Sequence, residues 1–133
     1  MKTAGFVALL TFALVGVFAL GLFGLAHFEN PSSHFRTYEE LKASGLIERG
    51  WVPEQLPRSA TAIEESHDID TNHGWAFFKY KMGDTAAADE GCQLLHQTTE
   101  GRKYLCPPFG RQTSILVLKA DGTGLIRMDA DEI

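Results

Sequence analysis

The chain has 133 residues, with 12 Lys and Arg against 17 Asp and Glu, and a formal net charge of −5 at pH 7. This length suits one domain plus an anchoring segment. The acidic balance excludes the basic stripe that nucleic-acid binding requires, so we expect no nucleic-acid partner.

The first predicted element is a long apolar helix. Residues 3–28 carry no formally charged side chain, and Lys2 is the only basic residue before them. These 26 residues, at about 1.5 Å each, extend about 39 Å, whereas the hydrocarbon core of a bilayer is about 30 Å thick. They predict a transmembrane signal anchor over residues 1–28. A cleaved signal peptide is the alternative, although its apolar region is typically about 7–15 residues.

The charges beside this helix predict its orientation. Lys2 favours a cytoplasmic N-terminus, and Glu29 opens the opposite side. Residues 29–133 hold all the basic residues of the chain except Lys2 and all 17 acidic ones, for a net charge of −6. We therefore expect contact with the plasma or inner membrane through residues 3–28. A linker over 29–34 and a periplasmic or extracellular head domain over 35–133 would follow.

The head domain is predicted to begin with a short helix. Thr37 and Glu40 have the spacing of a capping box, and Gly45 stands where a left-handed residue ends a helix. Pro53 and Pro57 then predict an ordered, extended segment, because proline interrupts helices and central strands.

The middle of the head domain contains one ambiguous element and one clear strand. Alternate residues from Ile63 to Ile69 predict one face of a strand, and a helical turn over 59–66 remains an alternative. Residues 75–82 are rich in aromatic side chains and predict a strand. Residues 83–97 predict a helix capped by Asp84.

The C-terminal part is predicted to be mostly strand. Residues 102–106 predict a strand that ends at two prolines, and residues 113–119 and 125–129 predict a hairpin with Asp121-Gly122 in its turn. Together these elements predict an α+β fold. A small, mostly antiparallel sheet of four to five strands is covered by two helices and preceded by one transmembrane helix.

The two cysteines of the chain, Cys92 and Cys106, both lie on the side expected to be exported. An even number of cysteines in an oxidising compartment predicts a disulfide. Closing a loop of about 15 residues would stabilise the fold by about 3 kcal/mol in the chain-entropy model.

The richest polar segment, HDIDTNHGW, runs from His67 to Trp75. An EF-hand is excluded, since His73 occupies the glycine position and Lys79 the position of the bidentate glutamate. A zinc or hydrolytic site formed by His67, Asp68, Asp70 and His73 requires a tight turn that brings them together. The simpler interpretation is a polar turn in which Asp70 and Asn72 bond the backbone while Ile69 and Trp75 anchor the ends in the core. We expect no cofactor and no catalytic residue.

Several segments resemble the head domain of YbbD-like envelope proteins. The resemblance covers residues 35–82 and is carried by Tyr38-Glu39-Glu40, Gly50-Trp51-Val52-Pro53, Leu56-Pro57-x-Ser59-Ala60 and Ile63-x-Glu65-x-His67-Asp68-Ile69-Asp70-Thr71-Asn72. It implies a small membrane-anchored or lipid-anchored bacterial envelope protein without an assigned activity.

The sequence thus predicts a single-pass envelope protein whose exported domain is a binding module for another envelope protein. The expected binding surface combines two segments and consists of Trp51, Pro53, Pro57, His67, Asp68, Asp70, Asn72 and His73. The alternatives are the hydrolytic or metal-dependent enzyme described above and a small accessory subunit of a membrane complex.

Overall fold

The computed structural model describes residues 2–29, 32–109 and 112–128. Residues 1–31 and 32–133 form two separate compact units. The first unit contains helix α1 (Lys2–Glu29), which has 28 residues. Its side chains are described over residues 11–24, where the large apolar ones are exposed, from Leu22 at 54% to Phe12 at 81%.

Among the described residues, no helix is long and apolar enough to cross a membrane, so the transmembrane helix expected over residues 1–28 is not shown.

The second unit is an α+β fold built on one sheet of seven antiparallel strands. Its helices are α2 (Tyr38–Ala43) and α3 (Ala86–Gly91). Its strands are β1 (Ser32–Thr37), β2 (Thr61–His67), β3 (Gly74–Lys79), β4 (Gln93–Thr98), β5 (Gly101–Phe109), β6 (Gln112–Lys119) and β7 (Thr123–Met128). The strand order across the sheet is β1-β2-β3-β7-β6-β5-β4.

The expected number of four to five strands was therefore wrong, because β1 and β4 were missed. Both are edge strands. Strand β4 is exposed along its whole length, and β1 alternates only weakly between exposed and half-buried residues. An edge strand with neither face fully buried lacks the period-two apolar pattern that identifies a strand in a sequence.

The hydrophobic core lies on one face of this sheet. Helices α2 and α3 and the segment 44–60 pack against that face, and a single buried cluster joins them to strands β2, β3, β5, β6 and β7. Pro53 and Pro57 are both fully buried in it, with Leu56 between them. The extended segment predicted from the two prolines is thus ordered by burial, and it forms part of the covering layer.

Local sequence signals placed α2 correctly. The Thr37 hydroxyl accepts a hydrogen bond from the Glu40 N–H at 3.2 Å, and Gly45 has a φ of +78°. In a capping box the Glu40 carboxylate would accept from the Thr37 N–H. Here it accepts from the N–H of the preceding residue, Arg36, at 2.8 Å. The helix therefore has both its predicted ends, with the second half of the capping box shifted by one residue.

The predicted helix over 83–97 was correct only in its first half. Helix α3 ends at Gly91, and the chain then forms β4. Cys92 and Cys106 form the expected disulfide, with their Cα atoms 4.3 Å apart. Because Cys106 lies in β5, this bond fixes the start of β4 beside β5, and the antiparallel pairing continues from there.

Strand β5 also continues past the point where the sequence predicted its end. It includes Pro107 and Pro108, and its register with β6 shifts between Cys106 and Phe109. A register shift accommodates residues that cannot donate a ladder hydrogen bond. The hairpin of β6 and β7 formed as predicted, with Gly122 at a φ of +83° in its turn.

Candidate functional site

The segment after β2 is a tight polar turn. The Asp68 carboxylate accepts hydrogen bonds from the N–H groups of Asp70 and Thr71, at 2.9 and 3.2 Å, and the Asp68 N–H donates to the His73 carbonyl at 2.8 Å. The Thr71 and Asp70 N–H groups hold the pKa of Asp68 below its usual value. Asn72 adopts a left-handed conformation, with a φ of +57°. The Asp68 side chain thus closes this turn by accepting from the N–H groups of Asp70 and Thr71.

The two apolar residues expected to anchor this turn lie at the surface. Ile69 is 53% exposed and Trp75 is 40% exposed. Ile69 lies in the turn after the end of β2, and Trp75 lies on the side of β3 that faces away from the core. The backbone hydrogen bonds around Asp68 therefore define the turn, and the expected apolar anchors were wrong.

His67 belongs to a buried cluster at the end of β2. Its Nδ1 atom lies 2.6 Å from Oε1 of Glu65, and the side chains of His67 and Glu65 are 8% and 0% exposed. The Trp51 ring stacks on the His67 ring with 4.0 Å between centroids. Burial raises the pKa of Glu65, although the hydrogen bond to His67 opposes this shift. His67 is thus committed to a structural contact that fixes Trp51 over the sheet.

The predicted binding residues therefore divide between core and surface. Pro53 and Pro57 are fully buried, His67 is buried, and Trp51 is half-buried within the covering layer. Asp70, Asn72 and His73 are exposed, and Asp68 is intermediate. The exposed members form a small polar turn, while the prolines support the fold from inside.

The zinc or hydrolytic site predicted from the sequence depends on how its side chains are placed. Within residues 32–109 and 112–128, no three His, Cys, Asp or Glu side chains are grouped so that they could hold a metal ion. The ring of His67 faces the core beside Glu65, and the carboxylate of Asp68 is used by the turn. The structure therefore brings Glu65, which the sequence did not suggest as a partner, to His67.

The sheet face opposite the core carries an apolar surface, here called the open face. Its residues alternate along the strands with those of the core, and none of the apolar ones is fully buried. Phe77 is 49% exposed and pairs with Leu125 of β7, which pairs in turn with Val117 of β6. The apolar members of the open face are Trp75, Phe77, Leu105, Ile115, Val117 and Leu125.

The charges of the open face are mostly positive. Four exposed cations, Lys79, Lys103, Lys119 and Arg127, point away from the core on strands β3, β5, β6 and β7. Among the described strand residues, the only carboxylates are Glu64 and Glu65, both on β2. Glu65 is buried in the core, whereas Glu64 is exposed on the open face beside Phe77, with its carboxylate 4.0 Å from the His34 imidazole.

A cavity of about 530 Å³ opens at one end of the open face, beside β4, β5 and β6. His96, Lys103, Val117 and Lys119 line it, together with Glu100 and Asp121 from the neighbouring turns. One carboxylate oxygen of Asp121 accepts hydrogen bonds from the N–H and the hydroxyl of Thr123, at 2.9 and 2.6 Å. The end of the open face is therefore concave, and its lining combines Val117 with both basic and acidic side chains.

Sequence reasoning missed the open face as a surface. The alternation in residues 75–79 was visible, and it was interpreted as a strand with one buried side. In a strand with one solvated face, apolar residues should alternate with polar ones. The segment TSILVLK instead has consecutive apolar residues, which indicates that both faces of this strand are apolar. Only the register of β3, β7, β6 and β5 shows that these residues form one surface.

The N-terminal part of the head domain is similar to a known protein family. The family model described as the YbbD head domain matches residues 29–79, which include β1, α2, β2 and β3. The searches of curated proteins and of solved structures found no match. The resemblance noted over residues 35–82 is confirmed by this match, which covers residues 29–79 of the chain.

Proposed function

We propose that this chain is an extracytoplasmic interaction module of the cell envelope, anchored by residues 3–28, and that the open face is its docking surface. The observation that carries this proposal is the exposure of a large aromatic pair at the centre of the sheet. Trp75 and Phe77 are 40% and 49% exposed, and their rings lie 5.0 Å apart. Large exposed apolar surfaces in small domains typically mark interaction sites.

The size of this surface supports the proposal. Six apolar side chains lie on adjacent strands, in two rows formed by pairing across the sheet. Neighbouring strands are about 4.8 Å apart, so the surface from β3 to β5 extends about 14 Å across the sheet. Sheets in α+β domains are commonly packed on one face and polar on the other. An apolar second face is therefore expected to contact a partner.

The proposed location depends on the sequence and on the disulfide. Residues 3–28 contain no charged side chain, and the described apolar side chains of α1 are exposed. A disulfide between Cys92 and Cys106 is typical of an exported domain. These features favour a single-pass protein of the plasma or inner membrane with a cytoplasmic N-terminus and the head outside the cytoplasm.

The docking surface also favours the accessory-subunit hypothesis over the enzyme hypothesis. A subunit of a membrane complex requires an exposed apolar surface, which the open face provides. An enzyme built on His67 requires an accessible imidazole, whereas this ring is 8% exposed, stacked on Trp51 and bonded to Glu65. We therefore propose a binding role without catalysis, in which the turn of residues 68–73 forms a second, smaller polar surface.

Site-specific photo-crosslinking in living cells tests the docking surface. A photoreactive phenylalanine replaces Phe77 on the open face, and the matched control replaces Glu39, which is exposed on α2 in the covering layer. We expect a discrete crosslinked product from position 77 and none from position 39. Equal crosslinking from both positions, or none from 77, would refute the open face as the docking surface.

Membrane fractionation tests the anchor independently. The intact chain is expected to stay with membranes after alkaline carbonate extraction, while a protease added to spheroplasts digests the head. Deletion of residues 3–28 should leave the product out of the membrane fraction. A chain that is extracted by carbonate would refute the anchor without affecting the docking surface.

A further inference from the structure

We infer that the partner of the open face is an acidic amphipathic helix of another protein. Its apolar stripe would lie on the centre of the open face, and its carboxylates would lie beside the surrounding cations. This inference rests on the proposed function, because it names the partner chemistry of the same surface.

The apolar centre has the dimensions of one helix. Phe77, Leu125 and Val117 are neighbours on three adjacent strands through direct register pairs. Their outer members lie about 10 Å apart at the usual strand spacing, close to the diameter of an α-helix with its side chains. Trp75 and Ile115 continue this strip in the next row, where Arg127 lies between them. One helix laid along the strands would therefore cover the two rows.

The cations lie where the flanks of such a helix would pass. Lys103 on β5 pairs with Val117, and Lys119 follows Val117 two residues later on the same face. Lys79 follows Phe77 in the same way on β3. Each of these three lysines is exposed at the edge of the apolar centre. Such an arrangement of an apolar centre with a charged rim is typical of protein interfaces, and here the rim selects carboxylates.

The sheet concentrates positive charge on a domain that is acidic as a whole. Residues 29–133 have a net charge of −6. The carboxylates of the described residues lie in helices, turns and loops, except for Glu64 and Glu65. On the open face, strands β3, β7, β6 and β5 carry four cations and no carboxylate, and Glu64 on the neighbouring β2 is the acidic residue beside them. An anionic partner is therefore specified by the position of these residues.

Two other occupants fit this surface less well. A second copy of the chain in a two-fold dimer would place the same four cations against each other, which costs binding energy. A bilayer surface is extensive, so anionic headgroups would also repel the acidic remainder of the domain. The cavity beside Lys103 and Lys119 further favours side chains that enter it, which a helix presents.

Binding of a designed peptide to the full-length chain in phosphatidylcholine nanodiscs tests the inference. The probe is a labelled synthetic helix with leucine along one stripe and glutamate on both flanks, and its matched control has lysine in place of glutamate. A third arm uses phosphatidylglycerol vesicles. Fluorescence anisotropy gives the affinity of each peptide, and co-sedimentation gives vesicle binding.

We expect the glutamate peptide to bind, with an affinity that falls as salt is added. Lys103→Glu combined with Lys119→Glu should weaken binding about tenfold or more. The control Lys42→Glu changes an exposed lysine on α2 and should leave the affinity unchanged. Equal binding of the lysine peptide, or no binding of the glutamate peptide, would overturn the inference. Vesicle binding in place of peptide binding would overturn it in favour of lipid.

The in-cell crosslink at position 77 separates this inference from the proposed function. If that crosslink persists in the Lys103→Glu, Lys119→Glu chain, the open face is still a docking surface and the acidic-partner inference is wrong. If the crosslink is absent in the otherwise unchanged chain, the proposed function itself is wrong.

Discussion

The buried pair of Glu65 and His67 allows a prediction of stability with a defined pH dependence. His67→Ala removes the only hydrogen-bond partner that the described residues provide for the Glu65 carboxylate, whose second oxygen is buried and unpaired. Leaving a buried carboxyl group without its hydrogen-bond partner typically costs about 1–3 kcal/mol, and more while the group is charged. The stacking on Trp51 is lost as well, which costs about 1 kcal/mol at any pH. We therefore expect His67→Ala to lower the free energy of unfolding by about 2–4 kcal/mol at neutral pH.

The pH dependence follows from the raised pKa of Glu65. Burial makes the folded protein hold the Glu65 proton to a higher pH than the unfolded chain does. The cost of its buried charge is thus fully present above the folded pKa and disappears below the unfolded pKa, near 4.5. The destabilisation caused by His67→Ala should accordingly shrink as the pH falls through this window. What remains at low pH is the loss of stacking and packing.

Two variants separate the charge from the ring. His67→Phe retains a ring against Trp51 but leaves Glu65 without a partner, so it should keep most of the pH-dependent cost. Combining His67→Ala with Glu65→Gln should remove that cost and leave a pH-independent loss. Urea unfolding of the full-length chain, followed by circular dichroism at neutral pH and near pH 4.5, measures these differences. A destabilisation by His67→Ala that is equal at both pH values would refute the role assigned to Glu65.

Three further predictions concern the frame of the head domain. Replacing Cys92 and Cys106 with serine should lower the free energy of unfolding by about 3 kcal/mol, and reduction of the original chain should have the same effect in a urea titration. Gly101→Ala should lower the free energy of unfolding by about 2–5 kcal/mol, because φ of Gly101 is +153° and the added Cβ would meet a backbone carbonyl of β6. The control Gly83→Ala has open space around it and should cost about 1 kcal/mol in the same titration. Asp68→Ala should lower Tm at neutral pH, and this difference should vanish as the pH falls through the lowered pKa of Asp68, which scanning calorimetry can follow.

The parts of the fold that the sequence predicted correctly are those specified by neighbouring residues. The hairpin of β6 and β7 has an Asp-Gly turn, and Gly122 adopts the positive φ that this turn requires. Helix α2 has a threonine cap at one end and Gly45 at the other. Each signal acts over four or five residues, so it does not depend on the rest of the chain.

The edge strand β4 depends on residues far from it in sequence. Gln93–Thr98 forms a strand because it pairs with β5, beside the disulfide from Cys92. In isolation, the same residues continue the helical pattern of residues 86–91. Tertiary pairing therefore overrides the local preference, as it often does in edge strands.

The candidate site was predictable only in part for a similar reason. Ile63, Glu65 and His67 were predicted either on one face of a strand or partly in a helical turn, and the structure shows the strand. The burial of that face, and hence the pairing of Glu65 with His67 under Trp51, depends on how the segment 44–60 folds back over the sheet. The open face likewise depends on register between strands up to about 50 residues apart, which no local pattern encodes.

The extent of the family match shows how the two halves of the head depend on each other. Residues 29–79 end with β3, whose second edge pairs with β7 from Gly74↔Met128 to Lys79↔Thr123. Without β7, that edge would expose six residues of unpaired backbone beside Trp75 and Phe77, which is a site for aggregation. The matched segment therefore requires the C-terminal strands in this chain. The aromatic pair of the open face comes from the matched segment, while three of its four cations, on β5, β6 and β7, come from the strands outside it. Ile115, Val117 and Leu125 of the apolar centre also lie on strands outside the matched segment, so the open face forms only when both halves of the head pair with each other.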